Sequence, residues 1–118
     1  MKVIVCGGRD FTDYQFLHDT LKTVQLSRGK FTLIVHGNAK GADTLADFYG
    51  GRNHIATKRY IAEWKKYGLG AGPIRNMQML REEKPDLVIA FKGGAGTADM
   101  IRQAKMVGVE VIDCAASR

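Results

Sequence analysis

Leu87-Val88-Ile89-Ala90-Phe91-Lys92-Gly93-Gly94-Ala95-Gly96-Thr97 passes from an unbroken apolar run to a glycine-rich turn. An apolar run without alternation suits a strand of a parallel sheet covered on both faces. Beyond the turn, Ile101, Ala104 and Val107 recur at helical spacing, with Thr97 as candidate cap and Gly108 as the stop. The stretch therefore reads as strand, tight turn, helix. The same grammar recurs upstream at Cys6-Gly7-Gly8-Arg9-Asp10, at His36-Gly37-Asn38-Ala39-Lys40-Gly41-Ala42-Asp43 and at Gly70-Ala71-Gly72-Pro73-Ile74-Arg75-Asn76.

Working outward from these turns, Val3 to Val5 and Leu33 to Val35 are further continuous apolar runs, and Val109, Val111 and Ile112 supply a C-terminal strand. A weaker strand lies around Ile55 to Tyr60. Tyr14, Leu17, Leu21 and Val24 form a helical stripe, with Thr12 and Gln15 spaced as a capping box. Ala42, Leu45, Ala46 and Tyr49 form a second stripe, expected to stop at Gly50-Gly51. Pro73 suits the first turn of a third helix running to about Lys84, where Pro85 ends it. The segment from Tyr60 to Gly72, carrying Trp64, Lys65, Lys66 and Tyr67, reads as a long functional loop or a surface helix turn. The order β-α-β-α-β-α-β-α-β, joined by right-handed crossovers, predicts an α/β fold. It is a doubly wound, Rossmann-like, mostly parallel five-stranded sheet with helices on both faces, a single domain over residues 1–118.

Composition narrows the function. The apolar share of 45% is ordinary for a globular domain, and 14 glycines beside 2 prolines point to turns rather than a disordered tract. A formal charge of +6 favours an anionic partner, although the basic residues are scattered and a solvated basic surface accounts for it equally well. Cys6 and Cys114 sit at opposite ends without metal spacing, so reduced thiols are expected and no metal site is readable. With no signal-peptide pattern and no apolar stretch of membrane-spanning length, a soluble cytoplasmic protein without membrane contact is expected.

In such a sheet every strand-to-helix turn lies on one edge, outside the carboxyl ends of the strands. Glycines admit close backbone approach, and helix N-termini offer unpaired donors and positive dipole charge. Gly93, Gly94, Gly96 and Thr97 are the candidate phosphate turn. It departs from the dinucleotide fingerprint G-x-G-x-x-G, whose third glycine would fall at Asp99, and no G-x-x-x-x-G-K-[ST] loop occurs, so ATP or GTP hydrolysis of the Walker type is disfavoured; no cofactor is expected. Arg75, beside Gly72 and Pro73, occupies a helix start where a cation is disfavoured unless it shares an anion. Asn76 offers donor and acceptor for ribose or base. At the first turn, after Gly7 and Gly8, Arg9 suits phosphate, and Asp10 suits a ribose hydroxyl or a structural role at the helix start. His36 is either a structural hydrogen-bonder or a catalyst, and Asp43, beyond Gly37, Gly41 and Ala42, is a site candidate or a helix-start stabiliser.

Taken together, Gly7-Gly8-Arg9-Asp10-Phe11, His36-Gly37-x-Ala39-x-Gly41-Ala42-Asp43, Trp64-Lys65-Lys66-Tyr67-Gly68, Gly72-Pro73-Ile74-Arg75-Asn76 and Gly93-Gly94-x-Gly96-Thr97-Ala98-Asp99-Met100 resemble the YspA-type branch of the SLOG superfamily. The resemblance implies a Rossmann-like domain binding nucleotides or nucleotide-derived ligands, of bacterial or phage type. It implies Trp64 as a ligand-side residue and, by analogy, self-association. The Lonely Guy phosphoribohydrolases have a similar signature, P-G-G-x-G-T-x-x-E with an upstream arginine. Arg75 stands for that arginine, but Lys92 replaces the proline and Met100 the glutamate. Cleaving an N-glycosidic bond develops positive charge on the sugar, which a carboxylate stabilises and methionine does not. A hydrolase reading therefore needs a carboxylate from Asp10, Asp43 or Glu63, with Arg75 as its partner. Similarity to the DNA-processing A family implies a third reading, single-stranded nucleic-acid binding through Trp64 and Tyr67.

Overall fold

The computed structural model describes residues 1–115; the last three residues of the expected domain lie outside the described ones. Its strands are β1 (Lys2–Cys6), β2 (Leu33–His36), β3 (Ala56–Arg59), β4 (Leu87–Ala90) and β5 (Glu110–Asp113). Its helices are α1 (Tyr14–Arg28), α2 (Ala42–Arg52), α3 (Trp64–Tyr67), α4 (Ala71–Glu83) and α5 (Ala95–Met106), with a 3₁₀ turn at Gly68–Gly70. The sheet is parallel throughout, in the order β3-β2-β1-β4-β5.

Side-chain alternation along β1 explains the two faces. Val3 and Val5 meet Leu17, Leu21 and Val24 of α1 and Ala46 and Tyr49 of α2. Ile4 and Cys6 point the other way, to Met79 and Leu80 of α4 and Met100 and Ala104 of α5. Each strand therefore carries apolar residues on both sides, which is why the runs lack alternation. The chain reverses its winding between β1 and β4, and at such a switch point the turns leaving the two strands diverge to open a crevice.

Local chemistry moved several element ends. Asp13, not Thr12, caps α1, accepting from Phe16 N–H at 3.0 Å. α5 starts at Ala95 behind Gly94, so Thr97 lies inside its first turn rather than capping it. α2 runs through Gly50 and Gly51 to Arg52. Gly50 belongs there because a Cβ would lie 2.5 Å from Cγ2 of Thr57, where the helix presses on β3. The segment after Tyr60 holds the short α3, the surface helix turn of the two readings.

Candidate functional site

The turns following β1, β2 and β4 are stitched to one another. Gly8 N–H donates to the Lys92 carbonyl at 2.8 Å, and the Gly8 carbonyl accepts from Phe11 at 3.2 Å and Ala42 at 3.3 Å. Gly41, at φ 83°, lies in the left-handed region and abuts that same carbonyl, where no side chain fits. The start of α4 joins through Arg75, whose Nη1 donates to the Gly37 carbonyl at 2.9 Å. The guanidinium rests on Gly37, where a Cβ would stand 2.7 Å from Cζ.

These turns and the start of α3 surround a cleft of about 1330 Å³. Gly7, Gly8, Arg9 and Asp10 line it from the first turn, and Gly37 and Asp43 from the second. Trp64, Gly72, Pro73, Arg75 and Asn76 line it from the α3–α4 side, and Gly93, Gly94, Gly96 and Thr97 from α5. His36, Gly41 and Ala42 stand behind the lining.

Each carboxylate and imidazole has a definable task. Asp43 is buried and its Oδ2 accepts from Gly37 N–H at 2.9 Å and Ala39 N–H at 3.2 Å, fixing the second turn. Burial raises its carboxyl above the ordinary range, outweighing the opposing pull of those amides, His36 and Arg75. His36 is a brace: Nδ1 accepts from Asn38 N–H at 3.0 Å, so Nε2 carries the proton toward Asp47 at 2.8 Å. The bond from His36 in turn holds Asp47 below the usual carboxylate range. Asn76 ties α4 to α5, donating to the Gly96 carbonyl at 3.2 Å and to Asp99 at 3.0 Å. Asp99 also accepts from Gln103 at 2.7 Å and pairs with Arg102. Burial, with Asp43 and Asp113 nearby, pushes the Cys6 thiol far upward, which makes it a poor nucleophile.

Two features of the floor remain unspent. Arg75 joins no ion pair among the described residues, and its Nε is buried without a hydrogen-bond partner. α5 has no side-chain cap, so amides of its first turn lack the usual partner. Around that turn, a Cβ on Gly94 or Gly96 would meet nothing within 4 Å, whereas one on Gly93 would strike Thr97 and Gly8. Gly93 is needed by the fold; Gly94 and Gly96 keep space open.

Asp99 was missed as a cleft carboxylate. The sequence places it one residue before Met100, and the roughly 100° per residue of a helix sends the two apart. Asp99 faces α4 and the cleft, while Met100 is fully buried against the sheet. Among the described residues no three His, Cys, Asp or Glu side chains gather in a metal-holding group.

Comparison with known proteins places this geometry. Residues 1–67 match the model of the YspA, cpYpsA-related SLOG family. The Gene 61 protein of Mycobacterium phage D29 is 33% identical over 120 residues, spanning 95% of this chain and 94% of that protein. The X-ray structure of DNA processing protein A (DprA) from Streptococcus pneumoniae superposes with a TM-score of 0.74 at 20% identity. That fold likeness covers 95% of this chain and 49% of the DprA chain, so the present chain spans about half its length.

Proposed function

The chain belongs to the YspA, cpYpsA-related SLOG family, and we propose that it binds a nucleotide or nucleotide-derived small molecule at the carboxyl edge of its sheet. One observation carries the reading: unpaired donors converge on space that the protein leaves empty. The uncapped start of α5, the glycines at 94 and 96 and the side chain of Arg75, which carries an unpartnered Nε and no ion pair among the described residues, line the same cleft. A phosphate there accepts from the first-turn amides and from the guanidinium. Each such charge-assisted bond is worth about 1.5–3 kcal/mol. It also supplies the anion that a helix N-terminus favours and that Arg75 lacks. Arg9, from the first turn, adds positive charge to the cleft, and Asp10 stands beside it for a ribose hydroxyl. Asp43 and Asn76 act indirectly, by holding the second turn and the α4–α5 junction.

Thermal shift against nucleoside mono- and diphosphates, ADP-ribose and cyclic dinucleotides tests this, because a ligand bound only by the native state raises apparent stability. Stabilisation by at least one of them, abolished in Arg75→Ala, is expected; a flat response across the panel refutes the reading.

A second reading, single-stranded nucleic-acid binding, is favoured by one feature. Lys65 and Lys66 flank exposed aromatic rings on α3, with Lys66 Nζ 5.0 Å from the Tyr67 ring centroid. It predicts oligonucleotide affinity that falls steeply with salt. For the N-glycosidase reading, the fold buries position 100 in the core, so the carboxylate must come from elsewhere on the cleft wall, where Asp10, Asp13, Asp43 and Asp99 stand.

A further inference from the structure

We propose that Trp64 is the platform on which the aromatic base of a nucleoside 5′-monophosphate stacks; this deepens the nucleotide reading and rests on it. Trp64 opens α3 at the rim of the cleft and is 55% exposed, although tryptophan is usually well buried on average. Its ring is nonetheless placed. The Cη2 edge lies 3.5 Å from where a Cβ of Gly72 would stand, so the indole rests on the first turn of α4.

The apolar wall continues beside it. Ile61, Leu69 and Pro73 also line the cleft, and Leu69 is 93% exposed. Large apolar side chains clustered over a polar floor and left uncovered by the protein mark a surface that something else covers. What covers it is fixed by its neighbour. Gly72, under the indole, lies three residues before Arg75 on α4, about one helical turn of roughly 5 Å. An occupant that meets both walls carries an anion for the Arg75 side and a flat apolar group for the indole. A nucleoside monophosphate does; inorganic phosphate and a sugar phosphate do not. Indole faces accept any base by stacking, so this contact supplies affinity for a base without choosing which one.

Trp64 is the sole tryptophan of the chain, which makes it its own reporter. The experiment titrates the full chain with AMP and, separately, with ribose 5-phosphate, following intrinsic tryptophan emission and melting temperature together; GMP, CMP and UMP replace AMP if it gives no shift. Both the nucleotide and the sugar phosphate are expected to raise the melting temperature. Only the nucleotide quenches emission, with the midpoint of the thermal titration. Trp64→Leu weakens the nucleotide about tenfold or more and leaves ribose 5-phosphate unchanged, while Trp64→Phe retains most of the affinity. If the nucleotide stabilises the protein but leaves emission and the Trp64→Leu affinity untouched, the stacking proposal is overturned and the nucleotide reading survives. If none of the four nucleotides shifts the melting temperature, the nucleoside-monophosphate proposal is overturned, and the broader nucleotide reading falls with it only if the diphosphates, ADP-ribose and cyclic dinucleotides are silent too.

Discussion

Replacing Gly96 with alanine separates a residue kept for the fold from one kept for a ligand. Gly96 sits in the first turn of α5 with ordinary helical backbone, and a Cβ there meets nothing within 4 Å. Alanine exceeds glycine in a helix by about 0.5–1 kcal/mol, largely through the entropy of the unfolded chain. The helix start collects the lower part of that range, because fewer of its backbone bonds are formed. For a chain of this length the unfolding entropy is roughly 0.25 kcal/mol per degree, so Gly96→Ala is expected to raise the ligand-free melting temperature by about 2 °C. The added methyl group stands in the phosphate space and removes the thermal shift with nucleotide. Gly93→Ala is the control: its Cβ would lie 2.7 Å from Gly8 N, backbone that cannot step aside, and overpacking of that kind costs about 1–3 kcal/mol. Differential scanning fluorimetry with and without the best nucleotide reads both quantities. A Gly96→Ala protein that melts lower than wild type, or that keeps the full ligand shift, refutes the reasoning.

Three further outcomes follow from the same geometry. Arg75→Lys keeps the charge but loses Nε and the planar fork, so calorimetric nucleotide affinity falls about tenfold with little change in melting temperature. Asp43→Asn mimics the protonated carboxyl. Because burial raises this group in the fold, Asp43 favours the native state while protonated and disfavours it as pH rises through the raised value. The variant should melt higher than wild type at pH 8 and no differently near pH 3. Glu83→Gln behaves oppositely. Burial alone would raise Glu83, but Lys58 at 2.7 Å, Tyr60 and Lys2 at 3.4 Å hold its carboxyl below the ordinary range. Its contribution is present above about pH 4.3 and fades on acidification, so the variant melts lower at pH 7 and the gap closes toward pH 3.

The sheet was readable because β1, β2 and β4 are buried on both faces and announce it as unbroken apolar runs. β3 was faint for a physical reason: Ala56-Thr57-Lys58-Arg59 is an exposed edge strand with no apolar face to display. Thr12 and Asp13 are adjacent and chemically equivalent as caps, so only the direction in which the chain enters α1 selects Asp13. All but three of the predicted ligand-side residues line the cleft, since a turn between strand and helix has only one edge to occupy. Their tasks were less legible. The bond from Arg75 to Gly37 spans 38 residues, that from Asn76 to Asp99 spans 23, and Lys2 reaches Glu83 across 81. No local pattern encodes pairings at such separations. Helix phase separates Asp99 from Met100, but only the seating of α5 on the sheet decides that Asp99 rather than Met100 faces the cleft.

The most direct measurement is a crystal structure of the chain soaked with whichever nucleoside monophosphate gives the largest thermal shift. The account predicts the phosphate within hydrogen-bonding distance of the α5 first-turn amides and of the Arg75 guanidinium, over Gly94 and Gly96. A phosphate held anywhere else on the surface, with that turn and guanidinium untouched, contradicts it.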